Sequence, residues 1–255
     1  MAVSFLFYFY LPSPTGSVIS TPNSNSSLTI ASFNIQTLGK TKIADPFFKE
    51  YLMKIIPQYD IIAIQELKDS SGEVTLILQQ WFPNYHFVLS EELGRTSNTE
   101  RYLVMYRKGK VLSYSVWLDA KDVFEREPLI VYFQVDNQNF SLINVHIKPT
   151  DAEKEISVLP EIINNLADSD FILLGDLNAD CDYYDETQGY LKQYSWVIDN
   201  SQDTTVSSNN CTYDRIITNL NYSDFGVFNF PQKFGLNYSE AKSISDHLPV
   251  WVQIS

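Results

Sequence analysis

Apolar residues in this chain come in short, nearly unbroken runs separated by polar turns, a rhythm that predicts many buried strands with a few helices between them. Residues 28–35, 60–64, 85–89, 101–106, 111–118, 129–135, 140–145, 213–218 and 248–254 read as strands, as does the run that starts at Phe171. Phe47, Phe48, Tyr51, Leu52, Ile55 and Ile56 recur at helical spacing across 45–56, and Pro57 stops that helix. Residues 74–81 and 152–166 are further helix candidates, the second bent or interrupted near Pro160. Turns at Lys108-Gly109 and Asp136-Asn137 predict two hairpins, one joining 101–106 to 111–118 and one joining 129–135 to 140–145. Strands outnumber helices, so the pattern predicts an α/β chain of two packed, mainly antiparallel sheets flanked by helices. No Gly-rich phosphate loop, nucleophile elbow or internal repeat is visible.

The strand ends share one grammar: an apolar run, then a charged or amide residue. Phe33-Asn34, Gln65-Glu66, Asn144-Val145-His146, Gly175-Asp176-Leu177-Asn178 and Ser245-Asp246-His247 all follow it. Glu100 and Asp214 stand just before or within apolar runs. Any one of these is an ordinary turn residue; together they place chemistry at the rim of a rigid scaffold. Strand alternation would point Asp176 and Asn178 the same way.

Phosphodiester hydrolysis needs this inventory. A hard metal ion takes a carboxylate such as Glu66, with waters and phosphate oxygens as its other ligands. Two histidines, each oriented by a carboxylate, supply the base for the attacking water and the acid for the leaving oxygen. Asn34 and Asn178 can hold phosphoryl oxygens as charge builds. With three histidines in all, a His-rich metal cage is a poor fit, and His86, set between Tyr85 and Phe87, reads as structural.

Composition changes this picture little. The chain of 255 residues is 44% hydrophobic, with 16 Phe and 16 Tyr, enough for a substantial core in one large domain or two small ones. A formal charge of −13 excludes binding nucleic acid through a simple basic patch, although bound cations can offset acidic ligands and phosphate alike. Residues 5–11 are apolar but too few to span a bilayer, and a Pro/Ser/Thr/Asn-rich stretch follows. Residues 1–27 are therefore expected to be a leader and spacer without a basic start, and 28–255 a single catalytic domain. Cys181 and Cys211 fit either a bridge between two loops in an oxidising compartment or two separate thiols. Five Asn-x-Ser/Thr patterns begin at Asn25, Asn139, Asn210, Asn221 and Asn237.

The segments Ser32-Phe33-Asn34-Ile35, Ile64-Gln65-Glu66-Leu67-Lys68-Asp69-Ser70, Leu93-Gly94-Arg95, Arg126-Glu127-Pro128, Gly175-Asp176-Leu177-Asn178-Ala179-Asp180-Cys181, Cys211-Thr212-Tyr213-Asp214-Arg215-Ile216 and Ile244-Ser245-Asp246-His247 resemble the endonuclease/exonuclease/phosphatase superfamily. Within it, the residues after Glu66 and the Cys-x-Tyr-Asp-Arg segment resemble the deoxyribonuclease I family. The resemblance implies a four-layered α/β sandwich and a metal-dependent endonuclease that cuts DNA with little sequence specificity, leaving 5′-phosphate and 3′-hydroxyl ends. It implies the pairs His146–Glu100 and His247–Asp214, and a magnesium (or manganese) ion at Glu66. Asn34, Asp176, Asn178 and Asp246 would surround metal, water and phosphate, and Arg95, Arg126, Lys68 and Tyr183 would meet DNA. A Cys181–Cys211 disulfide and secretion are implied too. Structural calcium would sit at Asp203, Thr205, Ser207 and Asn209, or at Asp119, Asp122, Phe124 and Glu127. A monomer without a membrane partner is expected.

Departures from the family qualify this. Gln36 and Lys68 stand where animal members usually carry arginine, and Asn98 replaces a tyrosine that packs into the minor groove. Those changes predict a weaker or altered grip on DNA with the chemistry intact. Leu89 and Leu129 differ from the residues that vertebrate members use on actin, so actin binding is not expected. The alternatives are a phospholipid- or abasic-site-directed phosphodiesterase of the same superfamily, or a catalytically silent binding protein.

Overall fold

The computed structural model describes residues 27–255, so the expected leader and spacer lie outside the described residues apart from Ser27. Two six-stranded sheets pack face to face. The first runs β11 (Tyr222–Val227), β12 (Val250–Ile254), β1 (Leu28–Leu38), β2 (Ile61–Leu67), β4 (Arg101–Tyr106), β3 (His86–Leu89). The second runs β5 (Lys110–Val116), β6 (Leu129–Val135), β7 (Gln138–His146), β8 (Phe171–Asp176), β10 (Asp214–Thr218), β9 (Ser195–Trp196). Helices α1 (Lys40–Ile43), α2 (Pro46–Ile55), α3 (Glu73–Trp81), α6 (Phe230–Phe234) and α7 (Tyr238–Ile244) contribute to the core on the outer face of the first sheet. Helices α4 (Ala152–Ile156) and α5 (Leu159–Asn164) cover the second. Ile30, Ile61, Val104, Val131, Leu142, Ile172 and Val252 fill the space between the sheets. This is the expected four-layered α/β sandwich. Because both faces of the central strands are covered, their sequences are continuous apolar runs instead of alternating ones.

Each sheet is antiparallel except for its central pair, β1 with β2 and β7 with β8. That arrangement fixes where chemistry can gather. Parallel neighbours bring both C-terminal ends to one edge, and their antiparallel neighbours bring N-terminal ends to the same edge. Asn34, Glu66, His146 and Asp176 are C-end residues of the central pairs. Glu100, Asp214 and His247 enter at the N-ends of β4, β10 and β12. Strand positions map one sheet onto the other, with β11-β12-β1-β2-β4-β3 matching β5-β6-β7-β8-β10-β9. Parallel pairing also demands Gly175: it has φ +143°, and a Cβ there would lie 1.9 Å from the Val145 carbonyl oxygen.

Several expectations need correction. The first predicted hairpin is not one: β4 belongs to the first sheet and β5 to the second. The Lys108-Gly109 turn instead carries the chain across the sandwich, with Gly109 at φ +82° against the Gln134 carbonyl. Buried Asp60 holds that crossing, accepting from Arg107 Nε at 3.1 Å and Lys108 Nζ at 2.8 Å. The second hairpin, β6–β7, is present in the expected register around Asp136, at φ +52°. The 152–166 helix breaks into α4 and α5, with Pro160 in the first turn of α5. Among the helices and strands, five were not anticipated: α1, β9, β11, α6 and α7. Among them, α7 did carry a signal, since Asn237 and Glu240 form a reciprocal capping box.

Glu155 on α4 is buried and accepts backbone N–H groups from Glu125 at 3.0 Å and Lys148 at 3.3 Å. Burial outweighs those bonds and pushes its carboxyl up to about 7 from 4.5. The folded state therefore favours the neutral form, and this contribution to stability is lost as pH rises through the folded value. Chemical denaturation of wild type and Glu155→Gln at pH 5 and pH 8 tests this. The balance should move toward the variant by roughly 2 kcal/mol at the higher pH; a pH-independent difference would refute it.

Candidate active site

At the shared edge the two sheets are first locked in register. Gln65 Nε2 donates to Asn144 Oδ1 across the sheets at 2.6 Å and to Ser32 Oγ at 3.1 Å, all three residues buried. Just above this polar belt, the Asn34 side-chain amide donates to Glu66 Oε1 at 3.1 Å and to Asp176 Oδ2 at 3.0 Å. Glu66 reaches the site through a left-handed backbone, φ +63°, and its Oε2 accepts from the Thr37 N–H at 2.8 Å.

His146 and Asp214 flank Asp176 on the neighbouring strands β7 and β10, each in direct register with it. His146 Nδ1 lies 2.9 Å from Glu100 Oε1, and His247 Nδ1 lies 2.8 Å from Asp214 Oδ2. Both Nε2 atoms turn inward, and each is 3.6 Å from the same oxygen, Asp176 Oδ2. Two imidazoles, each backed by a buried carboxylate, thus converge on one point. Burial works against the His146 imidazolium, but Glu100 and then Asp176 outweigh it and raise its pKa. The same balance, set by Asp214 and Asp176, lifts His247 to about 10.

Outside these pairs the expectations divide. Asn178 follows the end of β8 at φ +47°, so strand alternation does not govern it; its amide donates to the Ile147 carbonyl at 2.9 Å and its N–H to Asp176 Oδ1 at 3.2 Å. Arg126 is buried behind Glu100, with Nε 3.0 Å from Glu100 Oε2, and so supports the His146 pair. Arg95 donates to the Asp122 carbonyl at 2.8 Å. Lys68 is held by Asn98 Oδ1 at 2.8 Å and the Thr99 carbonyl at 2.7 Å. Tyr183 is exposed, its ring 5.6 Å from that of Tyr213. His86 is an exposed residue of β3, its ring 5.2 Å from Tyr106.

The Asp119 carboxylate accepts three N–H groups of its own loop, from Lys121, Val123 and Phe124. In the other loop Thr205 Oγ1 lies 3.0 Å from Asp203 Oδ1 and Ser207 Oγ, and 2.9 Å from the Asn209 carbonyl. A disulfide joins Cys181 to Cys211, tying the loop after β8 to the approach to β10 and settling the choice left open by the sequence. Sequence reasoning missed Tyr102, whose hydroxyl accepts the His146 N–H at 2.8 Å, and Thr204, whose hydroxyl accepts the Asp214 N–H at 3.1 Å. Neither carries a sequence signal, since Tyr102 sits inside an apolar strand and Thr204 inside a polar loop.

Comparison with known proteins agrees with this geometry. Residues 31–247 match the model of the Endonuclease/Exonuclease/phosphatase family. Deoxyribonuclease-1 of Bos taurus is 36% identical over 261 residues, covering 90% of this chain and 93% of the relative. Deoxyribonuclease-1 of Homo sapiens is 36% identical over 260 residues, covering 89% and 92%. An endonuclease/exonuclease/phosphatase family protein from Leptotrichia buccalis C-1013-b shares the fold at TM-score 0.66 and 17% identity, covering 89% of this chain and 99% of the other. With paired histidines, acidic partners and strand order all in place, this chain belongs to the endonuclease/exonuclease/phosphatase family, and within it to the deoxyribonuclease I family.

Proposed function

We propose that the protein is a divalent-metal-dependent endonuclease that hydrolyses DNA phosphodiester bonds by histidine acid/base catalysis. One observation carries the reading: two carboxylate-backed imidazoles present Nε2 to a single point, each 3.6 Å from Asp176 Oδ2. A scissile phosphate placed there has a proton acceptor on one side and a donor on the other. Water attacks phosphorus as one imidazole takes its proton, the P–O3′ bond breaks, and the other imidazole protonates the departing O3′. The products are a 5′-phosphate and a 3′-hydroxyl. Glu100 and Asp214 hold each ring by Nδ1 and stabilise the imidazolium; Asp176 orients the water, and Asn34 and Asn178 border the phosphoryl oxygens.

The donor set suits magnesium or manganese. Asn34 Oδ1 is buried with no hydrogen-bond partner among the described residues, beside the Glu66 carboxylate. A hard ion of this kind keeps waters and phosphate oxygens as most of its ligands, so a few protein oxygens suffice. Glu66, Asn34 and Asp246 would hold it, and when bound it supplies positive charge against the phosphoryl oxygens. Calcium finds a better oxygen cluster in the 203–209 loop than at Asp119 and Asp122, where Arg95 already lies 3.6 Å from Asp122 Oδ2. The disulfide supports a secreted protein, and among the described residues no helix is long and apolar enough to cross a membrane. We place it as a monomer acting on DNA alone, without actin.

Plasmid DNA with Mg2+, with and without EDTA, beside His146→Ala, tests the reading. EDTA should abolish nicking, and the substitution should lower it about 10²–10⁴-fold. Nicking that survives both contradicts the mechanism, and hydrolysis of a phospholipid in place of DNA favours the other branch.

A further inference from the structure

Gln36 lies two residues beyond Asn34 on β1, and its side-chain amide donates to Asp246 Oδ2. It is the one hydrogen-bond donor to that carboxylate among the described residues. The backbone of Gln36 is itself pinned on both sides. Its N–H donates to Ser245 Oγ at 3.4 Å, and its carbonyl accepts from Lys42 Nζ. The same ammonium donates to the Ile244 carbonyl at 3.1 Å. Ser245 Oγ in turn donates to the Asn34 carbonyl at 2.6 Å and accepts the His247 N–H at 3.1 Å. These bonds tie the end of β1, which carries Asn34, to the 244–247 segment, which carries Asp246 and His247.

The Asp246 side chain is 31% exposed, with Oδ1 3.8 Å from His247 Nε2. On a loop and without a donor, such a carboxylate has several rotamers open to it, and ordering it at the moment of binding costs entropy. We propose that Gln36 is a positioning residue that fixes the Asp246 carboxylate toward the metal and phosphate, with Lys42 and Ser245 holding Gln36 in place. The inference rests on the reading of Asp246 given above.

A double-mutant cycle with two readouts tests it. Gln36→Met keeps the length of the side chain and removes the donor. It should lower kcat for plasmid nicking about tenfold with KM for DNA little changed, and weaken Mn2+ binding to the DNA-free protein, followed by calorimetry, by a similar factor. In an Asp246→Ala background the same substitution should cost less than about twofold, because the residue through which it acts is gone. Gln36→Glu, which sets a second carboxylate against Asp246, should be worse than Gln36→Met at pH 8. Equal losses in both backgrounds, or unchanged Mn2+ affinity in Gln36→Met, would overturn the assignment. A wild type that neither nicks DNA nor binds Mn2+ would overturn the reading of the whole site; additive losses in an active wild type overturn only the role of Gln36.

Discussion

Asp176→Ala should lower plasmid nicking by at least about 10³-fold while leaving a folded chain. Asp176 is the convergence point of the site: Oδ2 faces both imidazole Nε2 atoms at 3.6 Å and accepts from Asn34 Nδ2 at 3.0 Å. Removing it takes away the orienting carboxylate for the water and one of the anions that raise both histidines. Folding should survive, because the substitution also removes like-charge repulsion within a dense acidic cluster, and the strand that carries it is apolar up to Gly175. Circular dichroism and thermal unfolding, run beside the nicking assay, separate loss of chemistry from loss of fold. Activity within tenfold of wild type would remove Asp176 from the mechanism.

One residue earlier, the expected effect is on stability. Gly175→Ala places a methyl group 1.9 Å from the Val145 carbonyl oxygen, in a backbone region, φ +143°, that side chains rarely adopt. Nothing flexible is available to yield, since the obstacle is the backbone of the neighbouring parallel strand. The β7–β8 pair must open, and with it the His146–Asp176 register. We expect a loss of about 4 kcal/mol or more, in the range that marks a change to the backbone frame. Urea denaturation measures it, and a loss under about 1 kcal/mol would show that the two strands can separate cheaply.

The parts of the site that sequence made legible are those in which a polar group interrupts an apolar run. Glu66, His146, Asp176, Asp214 and His247 are conspicuous for that reason, because an ionisable residue at the end of a buried strand is costly unless it is paired or used. The supports behind them are silent. Tyr102 looks like one more large core residue, yet its hydroxyl holds the His146 backbone. Arg126 looks like a surface cation available for phosphate, yet it is buried against Glu100. The crossing at Lys108-Gly109 misleads for a related reason: two strands and a glycine turn predict a hairpin locally, and only packing decides whether the second strand stays in the same sheet.

The sequence by itself determined the alternation of buried strands with a few helices, the layered α/β class and the set of acid, base and amide groups at strand ends. Those follow from local periodicity, which depends on neighbours in the chain. Tertiary structure alone decided that the central pair of each sheet is parallel, so that seven residues from seven strands share one edge. It also decided that both histidines aim at a single carboxylate oxygen, and that Gln36 turns inward to Asp246. Such facts depend on register between segments far apart in sequence, and register is set by packing across the sandwich, which no local pattern encodes.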